Sequence, residues 1–139
     1  MPTLVRCARD GRWPPLATPD TARDFVWVDD ACDAFLRAAT SELSDLGAIF
    51  NVASGTQTPL RTLIEVVRRA FAIELEPSWG TMEARSWDTA VWMGDPSSAS
   101  ETLGWRATTP LDVGLHRLAD WLDRSPNLRG RYASSLSAP

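Results

Sequence analysis

The chain has 139 residues, enough for one domain with a packed core. Its net charge of -4 excludes general nucleic-acid binding, which needs a basic surface, and its one histidine and two cysteines give no metal-ligand spacing. No apolar run approaches the length that spans a bilayer, and residues 1–10 lack the apolar stretch of a secretory signal, so a cytoplasmic location is expected.

Residues 2–10 read as a short helix stopped by Gly11 and then by Pro14-Pro15. A domain that opens on a helix, with no strand before it, suggests a piece of something longer. Asp24-Phe25-Val26-Trp27-Val28 is an aromatic and β-branched run and predicts a strand. Asp29 or Asp30 can cap the helix expected over roughly 30–40, with Ala31, Ala34, Phe35 and Ala38 on one face. Residues 48–52, Ala-Ile-Phe-Asn-Val, predict a second strand that ends at Ser54-Gly55-Thr56. Thr58-Pro59 places a hydroxyl cap and a proline at a helix start, and Leu60, Leu63, Ile64, Val67 and Phe71 then recur at helical spacing. Short strands are expected near 73–76 and 90–93, with irregular chain over 77–88. Asp95-Pro96 opens a short helix ending at Gly104. Thr109-Pro110 opens the last one, with Leu111, Leu115, Leu118 and Leu122 along a face. Beyond Arg124 the chain turns to Ser, Pro, Gly and Arg, the composition of a disordered tail.

All 14 cationic side chains are arginine, so no lysine is available as a base or for a Schiff base. Cys7 and Cys32 read as buried thiols rather than a disulfide. No glycine-rich turn of the Gly-x-Gly-x-x-Gly kind joins a strand to a helix, so the sequence offers no cradle for a dinucleotide pyrophosphate.

Four stretches in chain order carry a resemblance: Arg23-Asp24-Phe25-Val26-Trp27-Val28-Asp29-Asp30, Phe50-Asn51-Val52-Ala53-Ser54-Gly55, Arg85-Ser86-Trp87-Asp88, and Asp95-Pro96 through Leu103-Gly104-Trp105 to Gly114-Leu115. Together they resemble the carboxy-terminal, substrate-binding part of the extended short-chain dehydrogenases/reductases, the NAD-dependent epimerases and dehydratases of nucleotide-diphosphate sugars. In the third stretch Ser86-Trp87 stands where the family has Pro-Gly, so the loop path there is open.

The resemblance implies a small α/β substrate-binding lobe over residues 1–124, with short strands and about four helices, lacking the Rossmann domain. Residues 125–139 would be the disordered tail. It implies that Arg23 and Arg85 contact the substrate diphosphate, a role suited to the planar, permanently charged guanidinium fork. Asn51 and Ser54 would hold a ribose or base edge. Plainer readings stand beside these: a surface Arg23 paired with Asp24 or Asp20, and turn chemistry at Asn51 and Ser54. Asp29 and Asp30 read as a helix cap and a first-turn acid rather than catalytic carboxylates. His116 reads as a surface or core histidine, and Pro14-Pro15-Leu16 as a weak candidate for base contact.

No catalytic residue is assigned. The family's Tyr-x-x-x-Lys pair has no counterpart, since the one tyrosine is Tyr132, in the expected tail. NAD(P) is expected only with a Rossmann half, and the chain is not expected to turn over alone. Three arrangements are open: a lobe completed by a cofactor-binding half in cis or in trans, a free-standing sugar-nucleotide binding module, and a self-associating homodimer. The first predicts a large apolar face, the second a surface polar all round, and the third a dimer with that face buried.

Overall fold

A computed structural model of the chain describes residues 1–82 and 91–125. Its elements in chain order are α1 (Pro2–Arg9), β1 (Ala22–Asp24), α2 (Val28–Thr40), β2 (Gln57–Pro59), α3 (Leu60–Phe71), α4 (Ser97–Leu103) and α5 (Leu111–Arg124). The described residues therefore form a small α/β structure with five helices and a two-stranded sheet in which β1 pairs with β2. They fall into two compact units, one formed by 1–21, 59–82 and 111–125, the other by 22–58 and 91–110.

The first unit is helical. The spacing that makes α1, α3 and α5 amphipathic buries Leu4, Val5 and Cys7 on the first, Leu63, Ile64 and Val67 on the second, and Leu115, Ala119 and Leu122 on the third. The three helices pack pairwise on these faces. Pro2 starts α1 where its missing N–H costs nothing. Thr58 does not cap α3. The Leu60 and Arg61 amides instead donate to the carbonyls of Thr21 and Pro19, so the first turn is satisfied by backbone. At the other end Arg68 donates to the carbonyls of Ile73 and Glu74 and to Glu76, which engages the segment where a strand was expected over 73–76.

In the second unit a core forms from Ala34, Ala99, Leu103 and Trp105, with Val26, Ala38, Phe50 and Val52 packed against it. Trp105 is 1% exposed and donates its indole N–H to the Asp30 carbonyl at 2.8 Å. Gly104 ends α4 in the left-handed region (φ 59), where a side chain is strained, and the Trp105 amide turns back to the Ala99 carbonyl at 3.3 Å. Arg37 fastens the same corner, donating to the Gly104 carbonyl at 3.0 Å while Asp33 holds its Nε at 2.7 Å.

The strand expected over 24–28 is displaced. β1 takes Ala22–Asp24, and Val28 is already helical because Asp29 and Asp30 occupy the first turn, favourable at a helix amino end. Residues 48–52 and 91–93 carry no strand pairing among the described residues, and residue 90 lies outside them. Both thiols are free, but Cys32 is exposed on α2, contrary to the expectation of two buried cysteines. Among the described residues no helix is long and apolar enough to cross a membrane.

Candidate functional site

The second unit holds three of the four residues expected to meet substrate, and its organising group is Asp24, the last residue of β1. Its Oδ1 accepts the Ser54 amide at 2.9 Å and the Ser54 hydroxyl at 2.5 Å. Its Oδ2 accepts the amides of Gly55 at 3.1 Å and Gly94 at 3.4 Å. One carboxylate thus ties β1 to two loops distant in sequence. These are charge-assisted bonds to backbone, stronger than neutral ones.

The loops must come close for this to happen. A Cβ added at Gly94 would lie 2.6 Å from the Ala53 Cβ, so a side chain there displaces one strand of chain from the other. Gly55 sits at φ 71, a conformation other residues adopt only under strain.

Arg23 precedes Asp24 and is half-buried. Its Nη1 donates to the Ala22 carbonyl at 2.6 Å, and its guanidinium carbon lies 5.3 Å from the centre of the Trp92 ring. An indole face at that distance attracts a cation and fixes the plane of the fork. Asp20 pairs with Arg61, and Asp24 accepts the amides of the two loops. Arg85, with Trp87 and Asp88, lies outside the described residues.

Asn51 donates from Nδ2 to the Asp95 carbonyl at 3.2 Å. Asp95 in turn accepts the Ser97 hydroxyl and amide at the start of α4, bonds that hold its carboxyl below the usual carboxylate range. Ser54 gives its proton to Asp24 and accepts the Thr56 amide at 3.1 Å, so the hydroxyl is engaged within the protein on both sides. A surface depression of about 430 Å³ lies between Ser54, Ser97, Ser100 and Arg106. Neither Arg23 nor Asn51 lines it, so its location does not coincide with the expected diphosphate contact.

Asp30 is a second carboxylate hub that sequence reading reduced to a helix cap. It accepts the amides of Thr108 and Thr109 at 3.1 and 2.8 Å and both their hydroxyls. Burial pushes its carboxyl up, but the hydrogen bonds from Thr109 and Thr108 outweigh that and hold it below its ordinary value. A carboxylate depressed on folding stabilises the fold above its unfolded pKa, and that contribution disappears as pH falls through the folded value. The expected result is a melting temperature that drops below about pH 4, with a shallower drop in Asp30→Asn. A pH series of thermal melts on both proteins checks it, and parallel curves would remove Asp30 from the account.

The other sequence candidates have structural contacts. Asp29 accepts the Trp27 indole N–H at 2.9 Å. His116 lies 5.8 Å from the Phe71 ring, Leu16 is buried, and the Trp13 indole N–H donates to the Leu75 carbonyl. The described residues do not fit a dinucleotide. The amino-terminal caps of α1, α2, α3 and α4 are Met1, Trp27, Pro59 and Pro96, so none of these four helices opens on a glycine-rich turn that brings backbone amides onto a pyrophosphate.

No family model matches the chain. It is 30% identical over 106 residues to GDP-6-deoxy-D-mannose reductase of Pseudomonas aeruginosa, a match covering 76% of this chain and 34% of the reductase. It is 32% identical over 99 residues to UDP-glucose 4-epimerase of Mycolicibacterium smegmatis, covering 71% of this chain and 30% of the epimerase. The chain spans about a third of the length of these curated relatives. Among solved structures, the Bordetella bronchiseptica enzyme WbmF in complex with NAD+ and UDP shares the fold with a TM-score of 0.75 at 24% identity, over 98% of this chain and 40% of that one.

Proposed function

Because the chain belongs to the nucleotide-sugar epimerases and reductases of the extended short-chain dehydrogenase/reductase family, and spans about a third of its relatives' length, we propose that it grips the diphosphate of a nucleotide sugar and leaves the chemistry to a cofactor-binding half. Residues 1–124 act as the substrate lobe. The observation that supports this reading best is Arg23, stacked 5.3 Å over Trp92 next to the pinned carboxylate of Asp24. The strand end is fixed by three loop amides and the guanidinium plane by an indole, so the fork pays little ordering entropy when an anion arrives. Arg85 supplies a second fork, and two such groups hold the four-oxygen face of a diphosphate better than one. Asn51 and Ser54 shape the nucleotide end, both through the loops they fasten. A protein of this fold, WbmF, is in complex with both NAD+ and UDP.

The test is thermal stabilisation of the purified chain by UDP- and GDP-sugars and, separately, by NAD. A sugar nucleotide raises the melting temperature, and Arg23→Ala weakens its binding by roughly 10- to 100-fold, the ~1.5–3 kcal/mol of a charge-assisted bond. A shift with NAD alone, or a sugar-nucleotide shift indifferent to Arg23→Ala, overturns the reading.

A further inference from the structure

In the first unit Arg9 pairs with Asp123, Arg12 with Asp10, Arg61 with Asp20, and Arg68 with Glu65 and Glu76. Arg6 on α1 needs an acceptor more than any of these and has none. Its Nε and Nη2 are buried without a hydrogen-bond partner, and among the described residues they are the only buried side-chain nitrogen or oxygen atoms in that state.

A guanidinium stays charged throughout the working range of a protein, so Arg6 cannot relieve its burial by losing a proton. A buried charged donor left unpaired costs the desolvation of the group, which is why such donors are nearly always met by an acceptor. The two nitrogens also share one edge of the guanidinium. Nε–H and an Nη2–H run side by side there, at the spacing that takes two oxygens of a single carboxylate or phosphate.

The position of Arg6 on its helix adds a third donor. α1 turns Leu4, Val5, Cys7 and Ala8 to the core of its unit. Helical spacing sets Arg6 on the opposite side, with Pro2 and Thr3 one turn back. Helical side chains lean toward the amino end, so Arg6 lies over the turn that carries the Thr3 hydroxyl. The residue as a whole is half-buried, so a change of rotamer presents its fork edge to a solute.

We propose that Arg6 anchors an anion site in the first unit, which takes a phosphate group on the Nε–Nη2 edge with the Thr3 hydroxyl as a further donor. A carboxylate spends both its oxygens on the fork, whereas a phosphate keeps one for Thr3. The group is inorganic phosphate or a phosphate of the nucleotide sugar. Arg23 belongs to the other unit, so the two arginines are tested apart.

The experiment melts the full 139-residue chain in chloride and in rising inorganic phosphate at constant ionic strength. The parent is expected to gain about 5 °C or more, with saturation. Arg6→Met keeps the stem, removes the uncompensated charge and melts no lower than the parent in chloride, but loses the saturable gain. Arg6→Lys keeps the charge without the fork and binds phosphate at least about tenfold more weakly. Arg69→Gln, exposed on α3, responds as the parent does. The general exclusion of phosphate from protein surfaces is common to all four and does not saturate. No saturable gain in the parent, or one that Arg6→Met retains, overturns the site. So does an Arg6→Met that melts well below the parent in chloride, since Arg6 is then already satisfied within the fold. A UDP-sugar titration of Arg6→Met identifies the source. A lost response assigns the phosphate to the nucleotide sugar, and a kept response assigns it to the free anion. The inorganic-phosphate arm needs no sugar nucleotide and survives if the Arg23 reading fails.

Discussion

Replacing Trp105 by alanine is expected to cost about 3–5 kcal/mol, the range for removing a fully buried aromatic. The indole is 1% exposed, fills the space between Ala34, Ala99 and Leu103, and satisfies the Asp30 carbonyl through its N–H. Truncation opens a cavity lined by short side chains with little reach to close it, and removes the indole bond to that carbonyl. Trp105→Phe keeps most of the volume and loses the hydrogen bond, so its cost should be nearer 1 kcal/mol. Urea denaturation followed by far-UV circular dichroism separates the two, a better probe than fluorescence in a chain with 7 tryptophans. A cost below that of Trp105→Phe would show that the core is not organised around this ring.

The second large effect belongs to Asp24. Asn has nearly the same shape but one acceptor oxygen, and it brings an amide donor up to the amides of Ser54, Gly55 or Gly94, which are themselves donors. Loss of a charge-assisted bond plus an unpaired donor places Asp24→Asn at about 2–4 kcal/mol. The same substitution loosens β1, on which Arg23 stands, so sugar-nucleotide stabilisation should fall even though Asp24 touches no substrate. Ser54→Ala removes one hydroxyl and leaves the amides bound, so its effect on both readouts should be smaller. If Asp24→Asn melts like the parent, the loops are held by something other than this carboxylate.

Helices were legible in the sequence because they are local: the apolar spacing of Leu60 to Phe71 and the Gly104 stop describe α3 and the end of α4 with no knowledge of what packs on them. The strands were not, because a strand is defined by a partner. Ala-Ile-Phe-Asn-Val has every compositional mark of one, yet among the described residues it pairs with nothing, while the actual strand is Ala22-Arg23-Asp24, polar and short. At the site, Arg23 was visible from the segment it belongs to. Asp24 was read as a neighbour of that arginine, since nothing in one sequence reveals that amides 30 and 70 residues away converge on its carboxylate. Gly94 carried the one available hint, a glycine just before Asp95-Pro96 where a turn alone would accept other residues.

The bond from Arg9 to the Ala119 carbonyl, spanning 110 residues, bears on how the protein is made. Within these residues α1 is made before both helices it packs on, α3 and then α5. At ordinary rates of synthesis α1 waits roughly 5–20 s for α5, longer than for α3. Neither unit is continuous in the chain, so the second cannot close before Pro110, nor the first before α5, has been translated. Closure of the first unit depends on contacts of high sequence separation and is correspondingly slow. In the cell, the interval before α5 arrives is when a chaperone has the most to hold.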